Sequence, residues 1–247
     1  MRQRRKLRRP RAIFLKINRS PFTQLRIKCA FHMSEKNLTY WRNKSLYINP
    51  SAECNNDCLF CVRQFGDGVF GFDLTLESLP SPAEIEDAIE RAWNPHFDEV
   101  AIVGFGEPLL NLDGTLAAIR KVKQLADVPV RLNTNGEALL IHPDRDVPKE
   151  LAEAGLDRIQ VSLNAPDTET YLRLCRPKYG RATYDSILDF TERCKQYMTV
   201  EISAVDIPGV DIEACRGIAD RLGVRFRLRV FKGPEGALDG ILRTLTS

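Results

Sequence analysis

The sequence predicts a parallel α/β fold of six strand–helix units on three observations. Six short apolar runs of strand type alternate with helical runs, the pattern of repeated βαβ units. The 247 residues, 43% hydrophobic and 28% charged, suit one globular domain with a buried core. Polar and glycine-rich residues recur at the C-terminal ends of successive strand runs, where a parallel barrel carries its chemistry.

Ser45–Asn49 alternates apolar and polar positions and reads as the first strand. A cysteine-rich loop follows, then a glycine-rich stretch, Gly66–Phe72, expected to be flexible. Ser81-Pro82-Ala83-Glu84 is a capping box with proline at the first helical position; it opens a helix through Trp93 that sets Ile85, Ala88, Ile89 and Ala92 on one face. Glu99–Val103 is the second strand, and Leu116–Leu125 is a helix with Ile119, Val122 and Leu125 in step. Val128–Leu132 is the third strand, and Pro148–Ala154 a short helix stopped by Gly155. Arg158–Leu163 is the fourth strand, Tyr184–Tyr197 a long helix, and Thr199–Ala204 the fifth strand. Val210–Leu222 is a helix ended by Gly223, and Val224–Val230 is the sixth strand. Gly233–Ser247 reads as a short excursion or a terminal helix.

The net charge of +3 is the sum of two unlike parts. Residues 1–32 hold 11 of the 36 Lys and Arg and no acid, which leaves 25 basic and 33 acidic residues, a net of −8, for the remainder. Any basic footprint therefore lies in the leader and not on the whole chain. That segment has no helical or strand period, and its composition predicts a disordered tail. A basic arm for nucleic acid or acidic lipid, or a natural start at Met33, are the other readings. No apolar run approaches the roughly 18–20 residues that span a bilayer, and the first 30 residues lack a secretory h-region. Seven cysteines, an odd count without framework spacing, point to a reducing, cytoplasmic compartment. The domain reading is a leader over 1–40, a barrel core over 41–232 and a C-terminal tail over 233–247.

The densest chemistry is Cys54-Asn55-Asn56-Asp57-Cys58-Leu59-Phe60-Cys61, three thiols at C-x3-C-x2-C spacing. Thiolates are soft ligands that select zinc, Cu(I) or iron–sulfur clusters. A structural zinc site is built from four closed ligands, usually two C-x2-C pairs, and the chain has no second pair. Three ligands on a four-iron cluster leave one iron open to a substrate or cofactor. A zinc site and a redox dithiol are the alternatives. The strand ends Gly104-Phe105-Gly106-Glu107-Pro108, Asn133-Thr134-Asn135-Gly136 and Ser162-Leu163-Asn164-Ala165, each a plain turn or strand end by itself, follow in order.

The cysteine spacing, with an aromatic before the third thiol, resembles the signature of the radical S-adenosylmethionine (radical SAM) superfamily, and Gly104-Phe105-Gly106-Glu107-Pro108 resembles its Gly-Gly-Glu-Pro element. Phe105 stands where that element has its first glycine. The likeness covers residues 44–231, and the runs Leu46–Asn49, Cys58–Arg63, Val161–Tyr171 and Leu174–Pro177 look closest to the TatD-linked branch. Pro50–Glu53 and the basic leader depart from it. The resemblance implies a partial (β/α)6 TIM-like barrel in which Cys54, Cys58 and Cys61 hold a [4Fe–4S] cluster whose fourth iron chelates S-adenosylmethionine. One-electron reduction, from a donor of flavodoxin or ferredoxin type, would cleave that cofactor to methionine and a 5′-deoxyadenosyl radical that abstracts hydrogen from a small-molecule or protein substrate. It implies that Glu107 accepts from the methionine ammonium, that Gly106 permits close backbone approach and that Phe60 stands near the adenine. Thr134, Asn135, Ser162 and Asn164 lie on the family's later cofactor-contacting strand ends. Rival readings are a 7-carboxy-7-deazaguanine synthase-like or glycyl-radical-activating enzyme, and a non-catalytic iron–sulfur or zinc module. A functional link to a TatD-type hydrolase is implied by association.

Arg225, Arg227 and Arg229 alternate with apolar residues and share one face of the last strand, either a solvent edge or the mouth of the barrel. Cys29, Cys175, Cys194 and Cys215 lack cluster spacing, and His32, His96 and His142 lack ligand spacing.

Overall fold

The computed structural model describes residues 37–246. Residues 1–36, with Cys29, His32 and Met33, lie outside the described residues. Strands β1 (Thr39–Arg42) and β2 (Ser45–Ile48) form an antiparallel hairpin that turns through Asn43 at φ 54°, a conformation asparagine tolerates. The sheet thus begins one strand earlier than the alternation at Ser45 suggested, and β1 straddles the boundary drawn at residue 40. Tyr40 and Tyr47 are opposite each other in the register and stack at 4.9 Å, the kind of cross-strand pair that stabilises a short hairpin.

After the cysteine loop, β3 (Gly68–Val69) and β4 (Phe72–Asp73) make a second small hairpin across Phe70 (φ 55°) and Gly71 (φ 85°). Two consecutive positive φ angles are what a tight two-residue hairpin loop requires, so the stretch expected to be flexible is ordered into paired strands. Helix α1 (Pro82–Ala92) starts at the expected capping box: Glu84 N–H donates to Ser81 Oγ at 3.3 Å and Ser81 N–H to Glu84 Oε2 at 2.8 Å. Strand β5 (Glu99–Ile102) follows, then α2 (Leu112–Leu125). Helix α2 begins four residues before the expected Leu116, because Asn111 Oδ1 caps it by accepting from Gly114 N–H at 3.1 Å. Gly114 also lets α2 approach α1; a Cβ there would lie 2.7 Å from Ile85 Cδ1.

Strand β6 (Val130–Thr134) runs two residues further than expected, so Asn133 and Thr134 belong to the strand. Its alternation puts Val130, Leu132 and Thr134 on the buried side and Arg131 and Asn133 on the other. Helices α3 (Ala138–Ile141) and α4 (Val147–Ala154) lead to β7 (Arg158–Ser162). Helix α5 (Thr168–Cys175) was not anticipated; Asp167 caps it, accepting from Thr170 N–H at 2.9 Å. Helix α6 (Ala182–Cys194), β8 (Thr199–Val205), α7 (Ile212–Leu222), β9 (Arg225–Arg229) and α8 (Glu235–Thr246) complete the chain.

The sheet order is β1-β2-β5-β6-β7-β8-β9, with β2 through β9 parallel and β1 antiparallel at the edge. This is a partial barrel of six parallel strands with one added edge strand. One cavity is lined from β2 at Tyr47 to β9 at Arg229, so the sheet curls around a shared interior. Apolar residues such as Ile48, Ile102, Leu132, Val161 and Ile202 are buried, in one cluster with Ile85, Ile89, Ile119, Leu151 and Ile187 of the helices. That packing leaves the polar alternates free to face the inside of the curl. Among the described residues no helix is long and apolar enough to cross a membrane.

Candidate functional site

The chain leaving β2 runs beside the loop that follows β5. Val103, Gly106 and Glu107 N–H groups donate to the carbonyls of Ile48, Ser51 and Glu53 at 2.9, 2.8 and 2.7 Å. Asn49 ties the two from below: its Oδ1 accepts from Phe105 N–H at 2.7 Å and its amide donates to Leu74 O at 3.0 Å. A Cβ at Gly106 would sit 1.8 Å from the Glu53 carbonyl oxygen. Glycine is therefore the residue that lets this strand end reach the lead-in to the thiols.

The cysteine loop is held on its other flank by the end of α5. Asp57 and Leu59 N–H groups donate to Cys175 O at 3.1 Å and Leu174 O at 3.0 Å, and Lys178 N–H donates to Asn55 O at 2.9 Å. Arg176, at φ 47°, turns the chain so that Pro177 bridges to Asn56. Leu174-Cys175-Arg176-Pro177 is thus the backbone rail along which the thiol loop is laid. Cys54, Cys58 and Cys61 are partly exposed, whereas Cys175, Cys194 and Cys215 are buried.

Glu107 is 2% exposed. Its carboxyl accepts from Leu109 N–H (3.0 Å) and Thr134 Oγ1–H (2.7 Å) on Oε1, and from Asn135 N–H (2.6 Å) on Oε2. A carboxylate has about four acceptor positions, so one remains, on Oε2. Burial pushes Glu107 up to about 7, against the pull of those three donors. Thr134 therefore reaches the site through Glu107. Asn135 also joins Glu107 to the thiol loop, donating from Nδ2 to Asn55 Oδ1 at 2.9 Å.

A second buried carboxylate was invisible in the sequence. Glu137 accepts from Asn55 Nδ2–H at 2.5 Å and from Tyr171 O–H at 3.0 Å, and Tyr171 Oη accepts from Asn56 Nδ2–H at 3.0 Å. Burial first, then the charge on Glu107, raises Glu137 to about 7 against its hydrogen bonds. The two asparagines between Cys54 and Cys58 are therefore the anchors of the loop.

Ser162 and Asn164 form a separate group. Arg229 Nη2 donates to Asn164 Oδ1 at 3.0 Å and Ser162 Oγ at 3.4 Å, with Asn164 held at φ 59°. Phe60, Cys61 and Arg229 line one cavity of about 490 Å3. Arg225 lines a different opening, with Glu99, Arg158 and Glu201. The arginine face of β9 thus looks into the curl, with Arg227 and Arg229 at the thiol end.

Without a bound metal, burial and the nearby Glu107 push Cys54 up to about 12. Cys58 is raised by its contact with Cys175 and then by burial, and Cys61 by burial. Bound iron would reverse this, since coordination deprotonates a thiol. Among the described residues no group of three His, Cys, Asp or Glu side chains is placed to hold a single metal ion. The fit to a multi-iron group rests on the donors: three soft thiols on one braced loop, with Cys61 at the edge of a cavity.

The Radical SAM superfamily profile matches residues 48–222. An uncharacterized protein of Methanocaldococcus jannaschii is 27% identical over 178 residues, 71% of this chain and 52% of that protein. A probable GTP 3′,8-cyclase of Methanococcus aeolicus is 31% identical over 134 residues, 53% of this chain and 40% of that protein. The chain therefore spans about half the length of the curated relatives it matches. Among solved structures, Streptococcus suis SuiB bound to its precursor peptide SuiA matches with a TM-score of 0.61 at 18% identity, over 79% of this chain and 41% of that one. At that identity the likeness concerns the fold.

Proposed function

The chain belongs to the radical SAM superfamily, and from that premise we propose that it is an enzyme whose Cys54, Cys58 and Cys61 hold a [4Fe–4S] cluster and whose Glu107 receives the ammonium of S-adenosylmethionine. When bound and reduced, that pair of cofactors supplies a 5′-deoxyadenosyl radical for hydrogen abstraction from a substrate not yet identified. One observation carries the reading: three partly exposed thiols lie on a braced loop whose lead-in, Glu53, bonds the backbone of a buried carboxylate with one acceptor position to spare. The protein's part is to orient the cofactor and exclude water. Gly106 brings Glu107 beside the thiol loop, Thr134 and Asn135 fix the carboxylate, and Asn55, Asn56, Glu137 and Tyr171 hold the loop. Phe60 offers a ring beside Cys61 for the adenine. Asn164 and Ser162 offer polar groups for the cofactor's carboxylate or ribose.

The finer placement in the TatD-linked branch is supported by Val161–Tyr171 and Leu174–Pro177, which here supply the α5 cap, the Tyr171 hydrogen bonds and the rail beside the cysteine loop. A metal-dependent hydrolase of TatD type as functional partner, a flavodoxin- or ferredoxin-type reductant and a cytoplasmic location belong to the same proposal. The test is anaerobic reconstitution of the full chain. About four irons per chain and release of 5′-deoxyadenosine with dithionite and S-adenosylmethionine are the expected results. Tight binding of one zinc, no iron uptake and no 5′-deoxyadenosine would move the chain to the metal-stapled binding module.

A further inference from the structure

Beside the thiol-end cavity lies a larger one, of about 620 Å3. The two share Val62, Arg227, Arg229 and Lys232, so they meet at the same basic side chains. The larger is lined by five basic residues, Arg42, Arg131, Arg227, Arg229 and Lys232, and by no carboxylate. Two of the five are matched from the opposite opening: Arg131 pairs with Glu99 at 2.8 Å, and Arg227 lies 3.8 Å from Glu201. Arg42 stacks on Phe70 at 4.4 Å. Among the described residues, Arg42, Arg229 and Lys232 have no ion pair.

Arg229 is the informative one. It has two neutral oxygens for partners, and its Nε is buried without any. A guanidinium withdrawn from water with donors to spare is costly unless an anion completes it. The lining is also aromatic: Tyr40, Tyr47, Phe65 and Phe70 share the same cavity, and Phe70 is exposed although it is a large apolar ring. The β3–β4 hairpin that carries Phe70 reaches Tyr47, with ring centroids 6.1 Å apart.

We propose that this cavity is the substrate site and takes a small molecule bearing a phosphate or carboxylate beside a flat ring, the oxyanion on Arg229, Arg227 and Lys232 and the ring against Tyr47 and Phe70. The word substrate rests on the cofactor reading above; the oxyanion-and-ring recognition rests on the cavity alone. Bidentate guanidinium pairing suits both oxyanions, and flat rings stack on tyrosine and phenylalanine.

The test is isothermal titration of the full chain, cluster-free, with phenyl phosphate, benzoate and benzyl alcohol. The two anions should bind and the neutral alcohol should bind about tenfold more weakly or worse, the order of one charged hydrogen bond. Arg227→Met and Lys232→Met should each weaken both anions by about the same factor, while Arg225→Met, in the other opening, should not. The tighter of the two anions identifies phosphate or carboxylate. Equal binding of alcohol and anions, unchanged anion affinity in both methionine variants, or no binding of either anion would overturn the proposal. Competition between phenyl phosphate and S-adenosylmethionine on the cluster-loaded chain would overturn it too, by giving the oxyanion site to the cofactor. Iron content of the wild-type chain is measured separately. Anion binding without iron uptake sinks the cofactor reading alone, and iron uptake without anion binding sinks this proposal alone.

Discussion

Glu107→Gln separates the two roles given to Glu107, because it removes the charge and keeps the shape. In the cofactor-free chain the glutamate carboxyl is raised from 4.5 to about 7, with burial as the first cause. Between those values the folded chain binds more protons than the unfolded one, so its stability falls as pH rises. The contribution is fully present below 4.5 and is lost as pH rises through about 7. At 1.36 kcal/mol per unit the loss is about 3 kcal/mol. Glutamine escapes that loss but cannot accept from all three donors. If its oxygen serves Leu109 and Thr134, its NH2 faces Asn135 N–H, a mismatch of about 1–3 kcal/mol at every pH.

The variant should therefore be the less stable protein near pH 5 and should recover by about 3 kcal/mol relative to wild type by pH 8. In melting temperature that is on the order of 6–12 °C for a chain of this size. Glu137 is raised mainly by burial, which is present in both proteins and cancels from the difference; the smaller part that comes from the charge on Glu107 is removed in the variant and adds to its recovery at high pH. Thermal melts of the two cofactor-free proteins across that range are the assay. For S-adenosylmethionine the sign reverses. The variant should bind it roughly 10- to 100-fold more weakly, from the loss of one charged hydrogen bond, and wild-type affinity should rise with pH until Glu107 is ionised. A stability difference that does not change with pH would refute the burial argument, and unchanged cofactor affinity would refute the ammonium assignment.

Cys54→Ala, Cys58→Ala and Cys61→Ala should each abolish iron loading, whereas Cys194→Ala and Cys215→Ala, at buried positions far from the loop in sequence, should retain it; iron and sulfide analysis decides. Gly106→Ala puts a methyl group 1.8 Å from the Glu53 oxygen, so the strand end must move away from the thiol lead-in. Iron loading should fall sharply even if the helical circular dichroism is kept. Tyr171→Phe leaves Glu137 and Asn56 each short of a buried partner, at about 1–3 kcal/mol, a fall of several degrees in the melt of the cofactor-free chain.

Much of the architecture lay in local pattern. The Ser81 capping box, the Gly155 and Gly223 stops and the alternation of strand and helix runs each depend on residues a few positions apart, and each has its counterpart in the structure. Strand β1 is not legible in the sequence because Trp41 and Arg42 are exposed and four residues give too short a period. The expected third strand stops at Leu132 because Asn133 and Thr134 look like turn residues; the polar interior of the curl admits Asn133, and Thr134, on the buried side, is admitted by its hydrogen bond to Glu107. The loop-bracing network is invisible locally, since Asn55 meets Glu137 across 82 positions and Asn56 meets Tyr171 across 115. Period two placed Arg227 and Arg229 on one face, but only the curl of the sheet decides that this face is the inside.

The departure at Phe105 follows from the same geometry. Gly104 and Gly106 flank the bend at Phe105, and both lie against the backbone that leads into the thiols. A Cβ at Gly104 would meet the Ser51 carbonyl oxygen at 2.7 Å, and one at Gly106 would meet that of Glu53 at 1.8 Å. Both glycines are therefore set by the backbone approaching the thiols. Phe105 lies on the cavity side. Its N–H is already bonded to Asn49, and its side chain lines the 620 Å3 cavity. A glycine there would satisfy no contact that phenylalanine breaks. The position is free to vary on the cofactor side and constrained on the cavity side, so Phe105 adds a fifth ring to the aromatic lining. Phe105→Ala should then leave iron loading and S-adenosylmethionine binding unchanged and weaken phenyl phosphate. Ring stacking contributes about 0.5–1.5 kcal/mol, a loss of roughly 2- to 12-fold in the same titration. Loss of iron in that variant would place residue 105 with the glycines instead, as part of the frame that carries the thiols.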